Sequence, residues 1–459
     1  MDPTASQHLG TLRDPIQMQA ILQRRLLPAA TPGYAVESCA VDFVRQASNR
    51  CLAQYTLQLR EPGTDTLRSQ MVTGVTYDEN RGLRILKRIH RDDPGAMKPS
   101  ATRALPAITY IPELEMLIQV FPYDHRLPAL AALMTDPPPE LAATLLAELG
   151  PGDWGIETWE AETLRYRVDM RAMVRLAVQA REAASGRAAQ RRVYAKIYRD
   201  AEEGERGAAL QQAMWAHTSA AAPFRVARPI AYRDELRTLL LDEVTGITLL
   251  NILRRENEAL PAVRRVARAV AALHLLPIDD VVAARERPPR DELARLDDLA
   301  ATIQATAPEL RETVADIVRF IAAAFQDVPS APTHFDLKPA HFLLDGDRVT
   351  ILDFDKLVAA DPLVDVTGLL AHFRKERRES QRRQEGRTDA ITRAFAEEYF
   401  AHVPAAWAAR FPACQAMALL LEAASSEPGR HGRKGKARIP NRIETLVREA
   451  HEAAMVQRA

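Results

Sequence analysis

The alternation of apolar and polar positions changes character several times along this chain. From about Asp14 to Leu27 the apolar residues recur at helical spacing, which predicts a short amphipathic helix. From Tyr34 the period drops to two. AVESCAVDFVR, RCLAQYTLQLR and QMVTGVTYD alternate and are rich in β-formers, so each reads as a strand. A basic stretch from Lys87 to Arg103 reads as irregular. ALPAITYIP and LEMLIQVFPYD follow as a further hairpin, and RLPALAALM as a helix. Asp136-Pro137-Pro138-Pro139 stops that helix and opens the next, ELAATLLAEL, because proline has no N–H to continue a helix and fits a first turn.

The strand pattern then starts again. IETWEAETLRYR follows AVESCAVDFVR, and RAMVRLAVQAR follows RCLAQYTLQLR. RVYAKIYRDAEEG follows MVTGVTYDENRG, and PIAYRDELRTLLLDEV follows PAITYIPELEMLIQVF. Four matches in order, at an offset of about 120 residues, predict an internal duplication. GERGAALQQAMWAHTSAA reads as a helix after the second copy's third strand. LRTLLLDEVTGITL reads as a strand running into a turn. From Leu249 the pattern is helical almost to the end. Two basic runs, RKERRESQRRQEGR and RHGRKGKAR, interrupt the last helices; they read as solvated loops or as a contact for an anionic partner or substrate.

Composition narrows the class. A chain of 459 residues has room for two to three domains, and 47% hydrophobic residues suffice for packed cores. Lys and Arg number 61, as do Asp and Glu, so no global charge draws the chain to nucleic acid or membrane. Cys39, Cys51 and Cys414 are too few and too far apart for a disulfide framework or metal knuckle, and fit a reducing cytoplasm. No signal sequence or apolar run of spanning length is evident. The expectation is a soluble, cytoplasmic protein with no nucleic-acid or membrane partner; its oligomeric state stays open.

The densest chemistry lies between Thr333 and Asp365, in THFDLKPAHFLLDGDRVTILDFDKLVAADPLVD. Two short apolar runs flank a turn on Asp345-Gly346-Asp347, which predicts a hairpin. Asp336 precedes the first strand and Asp353 follows the second, so the hairpin should return both carboxylates to one rim. Lys338 and His341 stand close by. A carboxylate for a hydroxyl, a site for a divalent cation and a cation for the transferring group are what phosphoryl transfer requires.

Those motifs carry a resemblance. HFDLKPAHFLL resembles the catalytic loop of the protein-kinase-like superfamily. LDFDKLVAADPLVD, with its D-P-L-x-D tail, is similar to the metal-binding segment of the aminoglycoside phosphotransferase and choline kinase branch. The resemblance implies that Asp336 is the catalytic Asp, with Lys338 near the γ-phosphate. It makes Asp353 a Mg²⁺ ligand, with His341, which stands where the family usually has Asn, as the second candidate. It makes His334 a buried orienter of the loop and Asp365 its structural brace. It also implies that Lys196, in YAKIY, holds the α/β-phosphates of ATP; the first copy has Val75 at that place. Glu205 is the first choice for the acidic partner of Lys196, with Glu202 and Gln212 as rivals. The turn RYRVDMRA, without a glycine motif, would cover the nucleotide. The backbone at Glu243 and Val244 would bind the adenine edge as a hinge.

The implied fold is α+β, a protein-kinase-like bilobal fold with an extra N-terminal domain resembling a degenerate duplicate of the small lobe. The expected layout is that domain at 1–135, a helical linker at 136–155, an ATP-binding N-lobe at 156–245 and a helical C-lobe at 246–459. The implied function is ATP- and Mg²⁺-dependent transfer of the γ-phosphate to a hydroxyl of a small molecule, which is sugar-like, an aminoglycoside or an amino alcohol. The basic character of the C-terminal third leans away from a cationic acceptor. The alternative is a nucleotide-binding pseudokinase with a regulatory or scaffolding role. A protein kinase fits less well, since no Arg follows His334, no Gly follows Asp353-Phe354 and no A-P-E segment is present.

Overall fold

The computed structural model describes residues 8–27, 34–47, 50–78, 80–97, 105–218, 222–255, 258–325, 328–379, 385–424 and 439–455. It mixes helices and sheets and divides into two compact units. The first comprises Met1–Glu205 with Ile230–Leu241; the second comprises Arg206–Pro229 with Asp242–Ala459.

The first unit holds two five-stranded sheets. Strands β1 (Ala35–Ala47), β2 (Arg50–Arg60), β3 (Leu67–Thr76), β4 (Ile108–Ile111) and β5 (Met116–Val120) lie in the order β1-β2-β3-β5-β4. Helix α1 (Pro15–Leu26) starts where the pattern predicts. Asp14 caps it by accepting from the Ile16 and Gln17 N–H groups at 2.9 and 3.1 Å, and Pro15 opens its first turn. Its Met18, Leu22 and Leu26 are buried in one cluster with Cys51, Ala53, Tyr55 and Leu57 of β2, the alternate positions of that strand.

Helix α2 (Arg81–Asp92) corrects the expectation of an irregular segment from Lys87. Its basic residues mask a helical stripe: Leu86 and Ile89 are buried three apart while the charges face outward. They join Leu52, Val75, Tyr77 and Leu117 in a second cluster. Burial on both sides is what lets one sheet use both sets of alternating positions.

Short helices α3 (Pro128–Leu133) and α4 (Pro139–Ala147) lead to the second sheet. It consists of β6 (Trp154–Arg167), β7 (Arg171–Glu182), β8 (Ala188–Tyr198), β9 (Pro229–Arg233) and β10 (Thr238–Asp242), in the order β6-β7-β8-β10-β9. That order repeats the first sheet's. The register repeats too: Leu52 faces Val75 in the first sheet, and Met173 faces Lys196 in the second. Each leading hairpin carries two register shifts, between Val36/Ser38 and Val41/Phe43 and between Ile156/Thr158 and Thr163/Arg165. Leu130, Leu133, Leu141 and Leu145 bury one face of the second sheet against Val174, Leu176, Val193, Ala195 and Ile197.

Helix α5 (Ala201–Ala216) begins three residues before the predicted Gly204. Asp200 supplies the start signal by accepting from the Glu203 N–H at 2.9 Å.

The second unit is largely helical. Its described helices include α6 (Ala259–His274), α7 (Pro289–Thr306), α8 (Arg311–Ala324), α9 (Leu363–Glu379), α10 (Glu385–Phe400), α11 (Phe411–Ala424) and α12 (Ile439–Met455). In α6, Ala262, Val263, Val266, Ala267, Val270 and Ala271 are buried at three- and four-residue spacing. They share one core with Ile317 and Ile321 of α8, Leu369 of α9, Phe395 of α10 and Leu420 of α11. Two small sheets sit in this unit. Strands β11 (Ile247–Thr248), β13 (Phe342–Asp345) and β14 (Arg348–Ile351) form one, and β12 (Ala331–Thr333) pairs with β15 (Val358–Ala360) in the other. Of the two basic runs expected as loops, the first, 374–387, is helical at 374–379 in α9 and at 385–387 in α10, with 380–384 outside the described residues; the second, 430–438, lies outside them altogether. Among the described residues, no helix is long and apolar enough to cross a membrane.

Candidate active site

The β13–β14 hairpin brings Asp336 and Asp353 to one rim. Phe342 pairs with Ile351 at the base of the hairpin, and the Leu352 N–H bonds the His341 carbonyl at 2.9 Å. His341 therefore lies across from Leu352, with Asp353 next in line. One ligand atom from each of Asp336, His341 and Asp353 lies within 4.8 Å of the other two. His341 Nε2 is 3.8 Å from Asp353 Oδ2, and its Nδ1 is buried without a hydrogen-bond partner.

Two cations hold Asp336. Lys338 Nζ donates to its Oδ2 at 2.9 Å, and Lys356 Nζ lies 3.5 Å from its Oδ1. Half-burial pulls this carboxyl up, but the Lys338 hydrogen bond and charge, then Lys356, outweigh it and hold the group below its usual range. His341 goes the other way. Burial first, then His334 beside it, push its imidazole down to about 3 against the pull of Asp353. At neutral pH it is a neutral nitrogen base. Lys356 escaped the sequence reading; its only signal was its place two residues past Phe354 in the same short segment.

The backbone around these groups is constrained. Phe335 and Asp353 take left-handed conformations, with φ of +65° and +68°. Side chains at such φ cost about 1–3 kcal/mol unless the surroundings hold them. Asp365 holds the first. Its Oδ2 accepts from the His334 N–H at 2.6 Å and its Oδ1 from the Phe335 N–H at 2.8 Å. His274 Nε2 lies 3.2 Å from the same Oδ2, and its Nδ1 lies 2.8 Å from the Tyr399 hydroxyl. His334 Nε2 reaches the Leu352 carbonyl at 2.8 Å, tying the loop to the far strand. Asp361 caps the segment's tail: it accepts from the Leu363 N–H at 3.0 Å and from both terminal nitrogens of Arg410 at 2.6 and 2.9 Å. A carboxylate bonded by a guanidinium fork and a helix N–H is a strong anchor for the start of α9.

The remaining predicted residues stand on other elements. Glu243 and Val244 follow β10 and line a cavity of about 430 Å³ with Trp215, Arg225, Asp345 and Arg348. Asp345 and Arg348 sit at the turn end of the hairpin, so these residues are not part of the Asp336–His341–Asp353 cluster. Lys196 and Glu205 belong to the first unit. Lys196 is buried on β8, on the face opposite Ala195 and Ile197, with its Nζ 5.5 Å from the centre of the Tyr198 ring. Glu205 stands one turn into α5 and is exposed. In the turn expected to cover the nucleotide, Arg167 and Arg171 face each other at the ends of β6 and β7.

Residues 174–399 match the model of the phosphotransferase enzyme family. This segment of the chain is similar to that family. The match contains Lys196, Asp336, His341 and Asp353 and ends within α10. No curated protein matches the chain in sequence. Among solved structures, the chain is similar to aminoglycoside phosphotransferase APH(2'')-Ib with ADP bound, at 14% identity and a TM-score of 0.40, over 69% of this chain and 99% of that one. It is similar to a choline/ethanolamine kinase family protein from Mesorhizobium loti at 15% identity and a TM-score of 0.38, over 71% of this chain and 97% of that one. It is similar to an ethanolamine kinase from Plasmodium vivax at 10% identity and a TM-score of 0.39, over 64% and 83%. The phosphotransferase assignment rests on the sequence match.

Proposed function

We propose that this chain is an ATP-dependent phosphotransferase that moves the γ-phosphate to a hydroxyl of a small molecule. The observation that carries the reading is the braced cluster of Asp336, His341 and Asp353, inside the segment that matches the phosphotransferase family. In this reading Asp336 orients the acceptor hydroxyl and takes up its proton. Its lowered pKa keeps it ionised at neutral pH, and Lys338 and Lys356 keep that charge from being isolated. Lys196 and the β6–β7 turn hold the phosphates, and the backbone at Glu243 and Val244 takes the adenine edge. The exposed Glu205 remains a proposal as the partner of Lys196.

The residues fit a divalent cation. Two carboxylates and a neutral imidazole converge, and carboxylate oxygens are the donors Mg²⁺ prefers, with His341 the weaker one. When bound, the ion would neutralise phosphate charge. The rest of the work falls to positioning by the chain's own groups.

The domain layout at 1–135, 136–155, 156–245 and 246–459 is proposed with it. The shared strand order, the repeated register and the paired register shifts support reading the first sheet as a duplicate of the second. No observation favours the pseudokinase alternative.

The test is ATP consumption with Mg²⁺ against a panel of sugars, amino alcohols and aminoglycosides, with Asp336→Asn alongside. The variant should lose about 10³-fold or more in turnover while keeping the wild-type melting profile. Turnover unchanged in Asp336→Asn would reject the assignment.

A further inference from the structure

The turn between β6 and β7 is the one that would cover the nucleotide phosphates, and its tip is not free. Val168 and Asp169 are each 2% exposed. Val168 is buried in one cluster with Leu52, Val75, Tyr77, Leu86, Ile89 and Leu117, from the first sheet, the residue that follows β3, and α2. Val75 occupies the register position that Lys196 holds in the second sheet.

Asp169 sits at φ +58°, a conformation few side chains adopt without support. The support is a polar network from residues distant in sequence. Its Oδ2 accepts from the Tyr77 hydroxyl at 3.2 Å and from Arg50 at 3.3 Å, and its Oδ1 from Gln119 at 3.4 Å. Its N–H donates to Asp124 Oδ2 at 3.0 Å. Asp124 also accepts from the Tyr166 hydroxyl at 2.9 Å and from the Arg126 N–H at 2.8 Å. Gln119 in turn accepts from the His125 N–H at 2.7 Å.

Asp124, His125 and Asp169 have the spacing of a metal site. Their chemistry points elsewhere. Both carboxylates already accept from several protein donors, and Arg50 and Tyr77 occupy Asp169. Burial raises both carboxyls, for Asp124 with the charge of Asp169 added and for Asp169 with Arg50 opposing. Groups held this tightly are costly to bury and repay it by fixing one arrangement of the chain.

We propose that the N-terminal domain is a clamp: its Val75 face and the Arg50–Tyr77–Gln119–Asp124 network fix the β6–β7 turn in one conformation before nucleotide arrives. The N-terminal sheet thus contributes positioning residues to a site it does not form. Its own lysine position is apolar because that face packs against the turn. The role in nucleotide affinity rests on the phosphotransferase reading; the fixing of the turn does not.

The test is hydrogen–deuterium exchange of the peptide spanning 164–172 in the nucleotide-free, full-length protein, with ATP kinetics in parallel. The variants are Tyr77→Phe and Arg50→Gln with Tyr77→Phe. Amide exchange in the turn should accelerate by about tenfold or more as the bonds to Asp169 are lost. The KM for ATP should rise about threefold or more with kcat kept within about twofold, a split that general loss of stability does not produce. Unchanged exchange in both variants would overturn the clamp. Accelerated exchange with an unmoved KM would overturn its positioning role. A wild type without ATP turnover would sink the phosphotransferase reading and leave exchange to decide the clamp. Tyr77→Phe keeps the ring and removes one hydroxyl, so it decides alone if the double variant does not fold.

Discussion

Asp365→Asn is the sharpest test of how the candidate site is built. The carboxylate accepts two backbone N–H bonds, at 2.6 and 2.8 Å, and faces His274 at 3.2 Å, with 2% of the residue exposed. An amide of the same shape has one oxygen. Keeping that oxygen toward His334 and His274 turns the NH2 toward the Phe335 N–H, donor against donor. A hydrogen bond to a charged group contributes about 1.5–3 kcal/mol, and a buried N–H left unmade costs about 1–3 kcal/mol. One bond lost and one orphaned donor, with some relaxation of Phe335 out of its φ of +65°, sum to about 3 kcal/mol. For a unit of this size that corresponds to a melting temperature lower by about 6–12 °C. Thermal unfolding of wild type and variant reads the shift, and hydrogen exchange at Phe335 locates it. A melting temperature within about 2 °C of wild type, with the Phe335 amide still protected, would refute the argument that Asp365 braces the loop.

Other consequences follow from the same geometry. Gly246 has φ +138°, and a Cβ there would meet the Leu344 carbonyl oxygen at 2.8 Å and its carbon at 3.0 Å. Gly246→Ala should cost about 2 kcal/mol or more in denaturant unfolding, well above Gly346→Ala, where φ is +55° and the space is open; equal costs would show that the backbone contact yields. His341, lowered from 6.5 to about 3, stays unprotonated in the fold across a window where the unfolded chain binds a proton. Its contribution is therefore present above pH 6.5 and is lost as pH falls toward 3, by up to about 1.4 kcal/mol per pH unit. Urea midpoints from pH 7 to pH 4 should fall more steeply for wild type than for His341→Gln, and parallel curves would contradict the burial argument.

The candidate site was legible in sequence where its parts are close along the chain. Asp336, Lys338, His341 and Asp353 are separated by one short hairpin, and hairpin geometry alone returns them to one rim. Lys356 was missed although it is local, because reach and not spacing places its amine beside Asp336. Helix α2 was missed because its basic residues outnumber the two buried apolar positions that define its stripe. Helix α5 starts at Ala201 and not at Gly204 because Asp200, just before it, accepts from the Glu203 N–H.

By itself the sequence determined the order of elements, the repeated strand pattern and the side-chain chemistry gathered in the candidate site's segment. Those depend on local periodicity, turn residues and short spacings, which a chain carries without folding. The tertiary structure alone decided which distant groups share a buried carboxylate. Asp365 meets His274 from 91 residues away, and Asp169 meets Arg50, Tyr77 and Gln119 from 119, 92 and 50. No local pattern encodes such meetings. They exist because burying apolar faces brings the strands and helices together, and a buried polar group must then find its partner among whatever has been brought near.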